Sequence, residues 1–234
     1  MNRLADVLDR PEPTMAVVFG EAYTDEAISD IAVVADVAEF RADLYPSHEP
    51  NYLIEQVRRL GALPLLLTVR LEAEGGEWVD SEGERLQLIS EVIPYVDGVD
   101  IELAADNLPE VADIAHRKDK VLIVSSHDFN ATPSLETLEY RLADALIAGA
   151  DYVKFAATAN SEEEYRRLAG FTLNHQDGGL IVVAMGKYGP LSRITFPAMG
   201  SHLNYAFAGE NAVAPGQLGY LELDKLWKQL YPDY

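Results

Sequence analysis

The sequence predicts an α/β chain folded as a (β/α)8 TIM barrel, a single domain over residues 1–234, on three observations. Short apolar runs alternate with helical patterns along the whole chain. Most of the eight runs are continuous rather than alternating, the mark of strands buried on both faces of a parallel sheet. The length of 234 residues falls within the range of a closed barrel. The alternative is an open doubly wound sheet, which has no glycine-rich dinucleotide fingerprint here to support it. No linker or low-complexity segment divides the chain.

The elements follow in order. Residues 15–19 are the first strand, and Thr24 with Asp25 caps a short helix after it. Residues 37–43 are the second strand and 50–60 the second helix. Residues 64–70 are the third strand, followed by a polar loop over 72–80 that turns at Gly75-Gly76. Ser81 starts a helix to about residue 93, with Glu84 as the reciprocal capping-box partner. Residues 98–103 are the fourth strand and 108–117 a short helix. The fifth strand, 120–126, leads to His127-Asp128-Phe129. Ser134 caps an amphipathic helix carrying Leu135, Leu138, Leu142 and Leu146, and Gly149 stops it. Residues 151–158 are the sixth strand, and Ser161 starts the next helix. Residues 179–185 are the seventh strand, and the loop 186–190 leads into a short helix. Residues 202–207 form a weaker eighth strand, and Pro215-Gly216 opens a last helix to about residue 230.

Composition excludes several classes of function. There are no cysteines, so disulfides, thiolate metal sites and cysteine nucleophiles are ruled out. No apolar run approaches the roughly 18 residues of a membrane span, and the first ten residues lack the apolar core of a signal peptide; a cytoplasmic location is expected. The 39 acidic against 18 basic residues give a net charge of -21. The acids are spread along the chain, as solvated helix faces and loops would have them. No basic stripe exists to meet phosphates, so nucleic acid is not an expected partner. Such an excess of acid points to a salt-rich cytoplasm, where a Debye length of about 3 Å screens the self-repulsion of surface carboxylates.

The most informative stretch is Asp151-Tyr-Val-Lys-Phe-Ala-Ala-Thr158, an apolar run with one lysine at its centre. The chain has six lysines, and lysine is costly to bury and depleted in strands. In a dry pocket the amine loses its proton more readily, and the neutral amine attacks ketones and aldehydes to form Schiff bases. The ordinary explanation is a packed stem with its head in water. Other polar residues fall toward the same end of a barrel. Glu39 and Arg41, two apart, share a face. Arg70 ends the third strand, with Glu74 in the following loop. Glu102 nears the end of the fourth strand, and His127 lies just past the fifth. Arg193 and Gln217 follow the seventh-strand and eighth-strand loops. Taken singly, these are surface pairs, a loop histidine, a solvated arginine and a helix-start glutamine. Their convergence at the C-terminal mouth, where barrel enzymes do their chemistry, favours a catalytic site.

With these motifs in order the chain resembles the type I 3-dehydroquinate dehydratases. The matching segments are Glu39-Phe-Arg41-Ala-Asp43, Thr68-Val-Arg70 with Glu74-Gly75-Gly76, Asp100-Ile-Glu102-Leu, Ser126-His127-Asp128-Phe129, Val153-Lys154-Phe-Ala, Met185-Gly186 with Ser192-Arg193, and Ala214-Pro215-Gly216-Gln217. The resemblance implies dehydration of 3-dehydroquinate to 3-dehydroshikimate in the shikimate pathway. Lys154 would form the imine with the C3 ketone, and His127 would shuttle protons. Glu102 would orient the imidazole. Glu39, Arg41, Arg70, Arg193 and Gln217 would bind the carboxylate and hydroxyls, and Glu74 would help close the site. An imine is its own electron sink, so neither a metal nor an organic cofactor is required. A homodimer, usual for that family, is expected. One departure is Val213, where the family often places a serine four residues before the glutamine. Two other functions remain open from the residues alone. One is another Schiff-base barrel enzyme such as a class I aldolase, which would need a phosphate cradle that Gly186-Lys-Tyr-Gly only superficially resembles. The other is a non-catalytic acidic barrel that binds a metabolite.

Overall fold

A computed structural model describes residues 3–21, 23–176, 178–209, 214–232 and 234. Val213 lies outside the described residues. The strands are β1 (Met15–Phe19), β2 (Val37–Arg41), β3 (Leu65–Thr68), β4 (Gly98–Glu102), β5 (Val121–Asp128), β6 (Tyr152–Thr158), β7 (Leu180–Met185), β8 (Asn204–Phe207) and β9 (Leu218–Gly219). The helices are α1 (Arg3–Leu8), α2 (Asp25–Ala32), α3 (Pro50–Arg59), α4 (Glu82–Val92), α5 (Leu108–Arg117), α6 (Leu135–Ile147), α7 (Glu162–Asn174), α8 (Gly189–Thr195) and α9 (Tyr220–Leu230). All ladders are parallel, in the order β7-β6-β5-β4-β3-β2-β1-β8-β9. The sheet curls until β7 lies beside β8, which makes the barrel the sequence predicts.

The pleat explains why the strands read as continuous apolar runs. Alternate residues point to opposite faces. Val17, Phe19, Phe40, Leu67, Ile101 and Val124 face the helices. Ala16, Val18, Val37, Leu66, Ile123 and Val183 fill the barrel. Both faces are largely dry, and on β2, β4 and β6 the inner parity turns polar only from the third residue, at Glu39, Asp100 and Lys154. The N-terminal end is plugged by α1, whose buried Leu4 and Leu8 join the interior set. Each such leucine contributes about 2 kcal/mol by burial. Six residues with two leucines four apart are too short to show a period, so this helix left no sequence signal.

The helix starts are where the caps put them. Ser81 and Glu84 form a reciprocal capping box, and Thr24, Ser134 and Ser161 accept from backbone N–H groups of the first turns. Several boundaries differ from expectation. β3 ends at Thr68, so Arg70 lies beyond the strand rather than at its end, and β8 begins only at Asn204. β2 ends at Arg41 and gives way to a 3-10 turn, Ala42–Leu44. β5 runs on to Asp128, so His127 lies within the strand rather than past it. The last helix begins at Tyr220, not at Pro215, because Gly216 takes a left-handed turn (φ 79°) and Leu218 and Gly219 extend the sheet beside Ala206 and Phe207.

Closure between β7 and β8 is made largely by side chains. Ser201 Oγ accepts from Val182 N at 2.9 Å and donates to Val182 O at 3.1 Å. His202 N donates to Leu180 O at 3.0 Å. Arg193, from α8, donates to Ala184 O of β7 at 2.7 Å and to Tyr205 O of β8 at 3.4 Å. Buried backbone groups must find partners, and these residues supply them where strand pairing does not.

Candidate active site

Toward the C-terminal end the barrel interior turns polar. Strand alternation carries Glu39 and Arg41 on β2, Asp100 and Glu102 on β4, Ser125 and His127 on β5, and Lys154 on β6 to the inner face. A cavity of about 560 Å³, open mouth included, is lined by Lys154, His127, Glu39, Arg41, Arg70, Glu74, Arg193 and Gln217. Of the nine residues singled out in the sequence, only Glu102 is absent from that lining.

Lys154 is buried, its side chain 6% exposed. Its surroundings are not the dry apolar pocket that the sequence suggested. Nζ lies 2.9 Å from Asp100 Oδ2, 3.7 Å from Glu39 Oε1 and 4.0 Å from the centroid of the Tyr205 ring. A buried ammonium requires paired charge, and the two carboxylates supply it. Glu39 is itself fixed by Thr68 Oγ1, which donates to Oε1 at 3.1 Å.

Beneath the lysine runs a chain of buried ions. Arg70 donates to Asp100 Oδ1 at 2.7 Å and to Ser125 Oγ at 2.8 Å, and lies 2.8 Å from Glu102 Oε1. Burial opposes the charge on Arg70, but Asp100 and Glu102 outweigh it. Glu102 is also bound by Arg85, a fully buried arginine of α4, and by Leu71 N at 3.1 Å. Both its oxygens are occupied, and it does not orient His127. That expectation is corrected: Glu74 takes the part. The 3-10 turn Glu72–Glu74, closed by Gly75 in the left-handed region (φ 79°), swings Glu74 across to β5. Its Oε2 accepts from His127 Nδ1 at 2.9 Å and from His127 N at 2.9 Å. Gly76 passes so close to Arg70 O that a Cβ there would lie 2.0 Å from it.

The pair has a defined proton inventory. Burial, reinforced by Arg70 and Lys154, pushes His127 well below the ordinary histidine range. Burial raises Glu74 to about 7. The neutral imidazole donates Nδ1–H to Glu74, which leaves the Nε2 lone pair free to act as a base. As pH falls through about 7, Glu74 gains a proton, and its hold on the ring weakens from a charged to a neutral acceptor. The kcat/KM of the free enzyme is therefore expected to fall on an acid limb near pH 7. Glu74→Gln should flatten that limb and lower kcat/KM by about 10–100-fold. A pH–rate profile identical in variant and parent enzyme would remove Glu74 from this role.

The remaining cations differ from one another. Arg41 is clamped by Asp43 through two bonds of 2.9 and 2.7 Å, and not by Glu39. Asp43 also accepts from Glu77 N at 3.1 Å, which ties Arg41 to the loop that carries Glu74. Among the described residues no carboxylate pairs with Arg193, whose bonds go to backbone carbonyls and Ser192. Burial lowers it to about 10, still charged at neutral pH. Gln217 Oε1 accepts from Ala214 N at 3.1 Å, which orders the end of the final turn.

Sequence reasoning gave no role to Asp43, Arg85, Asp100 or Tyr205. Asp100 had a signal, lying two residues before Glu102 on the same strand face. Arg85 had none, because a helix arginine reads as solvated.

The chain was compared with known proteins. Residues 17–233 match the model of the type I 3-dehydroquinase family. A 3-dehydroquinate dehydratase of Methanosarcina acetivorans is 38% identical over 207 residues, covering 84% of this chain and 86% of the relative. One from Methanococcoides burtonii is 36% identical, covering 84% and 85%. The crystal structure of a 3-dehydroquinate dehydratase from Geobacillus kaustophilus superposes with a TM-score of 0.85 at 27% identity, covering 94% of this chain and 92% of that one. A type I enzyme from Clostridium difficile, solved with covalently modified comenic acid, gives 0.82 at 28% identity, covering 95% and 94%. Sequence motifs, barrel and family model agree over nearly the whole chain, which belongs to the type I 3-dehydroquinase family.

Proposed function

We propose that this chain dehydrates 3-dehydroquinate to 3-dehydroshikimate through a Schiff base on Lys154. The observation that carries the reading is one cavity onto which three things open: a buried primary amine, an imidazole whose Nε2 has no partner among the described residues, and the Arg193 guanidinium. Lys154 Nζ attacks the C3 ketone, and water leaves as the imine forms. His127 Nε2 removes a C2 proton, and the electron pair moves into the C–N system. The same proton then leaves with the departing hydroxyl as water. Hydrolysis of the conjugated imine frees the product and the lysine. Arg193, buried and without an acidic partner among the described residues, receives the substrate carboxylate. Arg41 and Gln217 bind hydroxyls at the mouth, and Glu39 borders both substrate and lysine. Arg70 acts chiefly through its grip on Asp100 and Glu102.

Borohydride reduction in the presence of 3-dehydroquinate, followed by mass mapping, tests this. A reduced adduct on Lys154 is expected. An adduct with a sugar phosphate alone would make the chain an aldolase, and no adduct with either would leave a binding protein.

The proposal extends to the setting of the enzyme. It works as a homodimer of single barrel domains in the cytoplasm, and sedimentation at twice the chain mass is the expected result. Among the described residues, no helix is long and apolar enough to cross a membrane. The net charge of -21 fits a salt-rich cytoplasm. Thermal melts should then rise with salt, and a melting temperature equal or higher in dilute buffer would count against it.

A further inference from the structure

Among the described residues Asp100 is the acid nearest to Lys154 Nζ, and it has no part in the steps above. It sits beneath Lys154, outside the cavity lining, with Oδ2 2.9 Å from Nζ. Its Oδ1 accepts from Arg70 Nη2 at 2.7 Å and from Ser125 Oγ at 2.7 Å. Its side chain is fully buried. Burial opposes its ionisation, but Arg70 and Lys154 outweigh burial and hold the carboxyl well below the usual range. A group so held is a poor proton acceptor and a fixed negative charge. Glu39, at 3.7 Å from Nζ, differs: it borders the cavity and is held by one hydroxyl.

We propose that Asp100 is the counter-ion of the Schiff base and keeps the imine nitrogen protonated through turnover. The inference rests on Lys154 being the imine-forming residue. The charge balance favours it. An ammonium and a ketone give a protonated imine and water: the C–N bond forms, the C–O bonds break, and two ammonium protons leave with the oxygen. The net charge on nitrogen is +1 at both ends, so Asp100 faces the same charge before and after and nothing need reorganise. Between them the amine is neutral while His127 Nε2 holds its proton, which returns with the departing water. Loss of the C2 proton to His127 neutralises the nitrogen as the enamine, and departure of the hydroxyl as water restores the cation. A protonated imine draws electrons from C2 far more strongly than a neutral one, so a group that keeps the proton on nitrogen governs the rate.

The test uses two reductants on enzyme loaded with 3-dehydroshikimate. Borohydride reduces neutral and protonated imines, whereas cyanoborohydride reduces the protonated form. Both should label Lys154 of the unaltered enzyme. In Asp100→Asn, borohydride labelling should persist, while the cyanoborohydride rate falls relative to it by about tenfold or more. A purely structural role would lower both together with the melting temperature. An unchanged ratio of the two rates overturns the proposal. Failure of both reagents on the unaltered enzyme overturns the Lys154 reading itself, and the counter-ion with it. If the variant does not fold, vibrational spectra of the loaded, unaltered enzyme decide. The C=N stretch should shift in D2O, as it does when nitrogen carries an exchangeable proton, and the absence of a shift overturns the counter-ion.

Discussion

Lys154→Ala is expected to lower kcat by about 10⁵-fold or more, the scale on which loss of a covalent nucleophile is felt. That corresponds to about 7 kcal/mol of barrel-assisted catalysis. The variant should fold. Asp100 keeps Arg70 and Ser125 as partners, so the removed ammonium does not leave a bare buried anion. Glu39 likewise keeps the Thr68 hydroxyl. Substrate binding should survive, because Arg193 and Arg41 are untouched by the change. Steady-state kinetics and calorimetric titration together check this. Dehydration within about a hundredfold of the parent rate would refute Lys154 as nucleophile.

His127→Ala is the second large effect, about 10²–10⁴-fold in kcat, as for loss of a positioned acid–base group. Here the imine should still form, slowly, and borohydride should trap it on Lys154. Catalysis would fail later, at removal of the C2 proton. The two variants thus separate covalent capture from proton transfer. Glu74 retains the backbone N–H of residue 127 as a donor in the variant, so its loop should stay in place. Unchanged turnover would eliminate His127 as the shuttle.

The fold was legible because both parities of each strand are apolar, and because Ser81, Ser134 and Ser161 mark helix starts unambiguously. Strand alternation also placed the site residues that lie on strands. It could not place those on turns. Glu102 was assigned to His127 by the family resemblance, and period two, which aims it at the mouth near β5, gave no reason to look elsewhere. Distance was then decided by something periodicity does not carry: a 3-10 turn and the left-handed Gly75 bring Glu74 to the imidazole, while Arg85 reaches in from α4 to occupy Glu102. The identity of a buried arginine's partner depends on tertiary approach, which no local window contains. The same holds for the seam between β7 and β8, where Ser201 and Arg193 replace a ladder. The apolar setting expected for Lys154 failed for a related reason: Asp100 and Glu39 belong to other strands, and only closure of the barrel gathers them.

Arg193 is at once a stitch in the barrel wall and, in the function proposed above, the cation that receives the substrate carboxylate. One guanidinium joins the β7 and β8 backbones through Ala184 O and Tyr205 O and also borders the cavity. Selectivity at this position is therefore not free to drift. A substitution that retuned the enzyme toward an uncharged substrate would unpick the wall with the same stroke, so new specificities in this scaffold must arise at other walls of the cup.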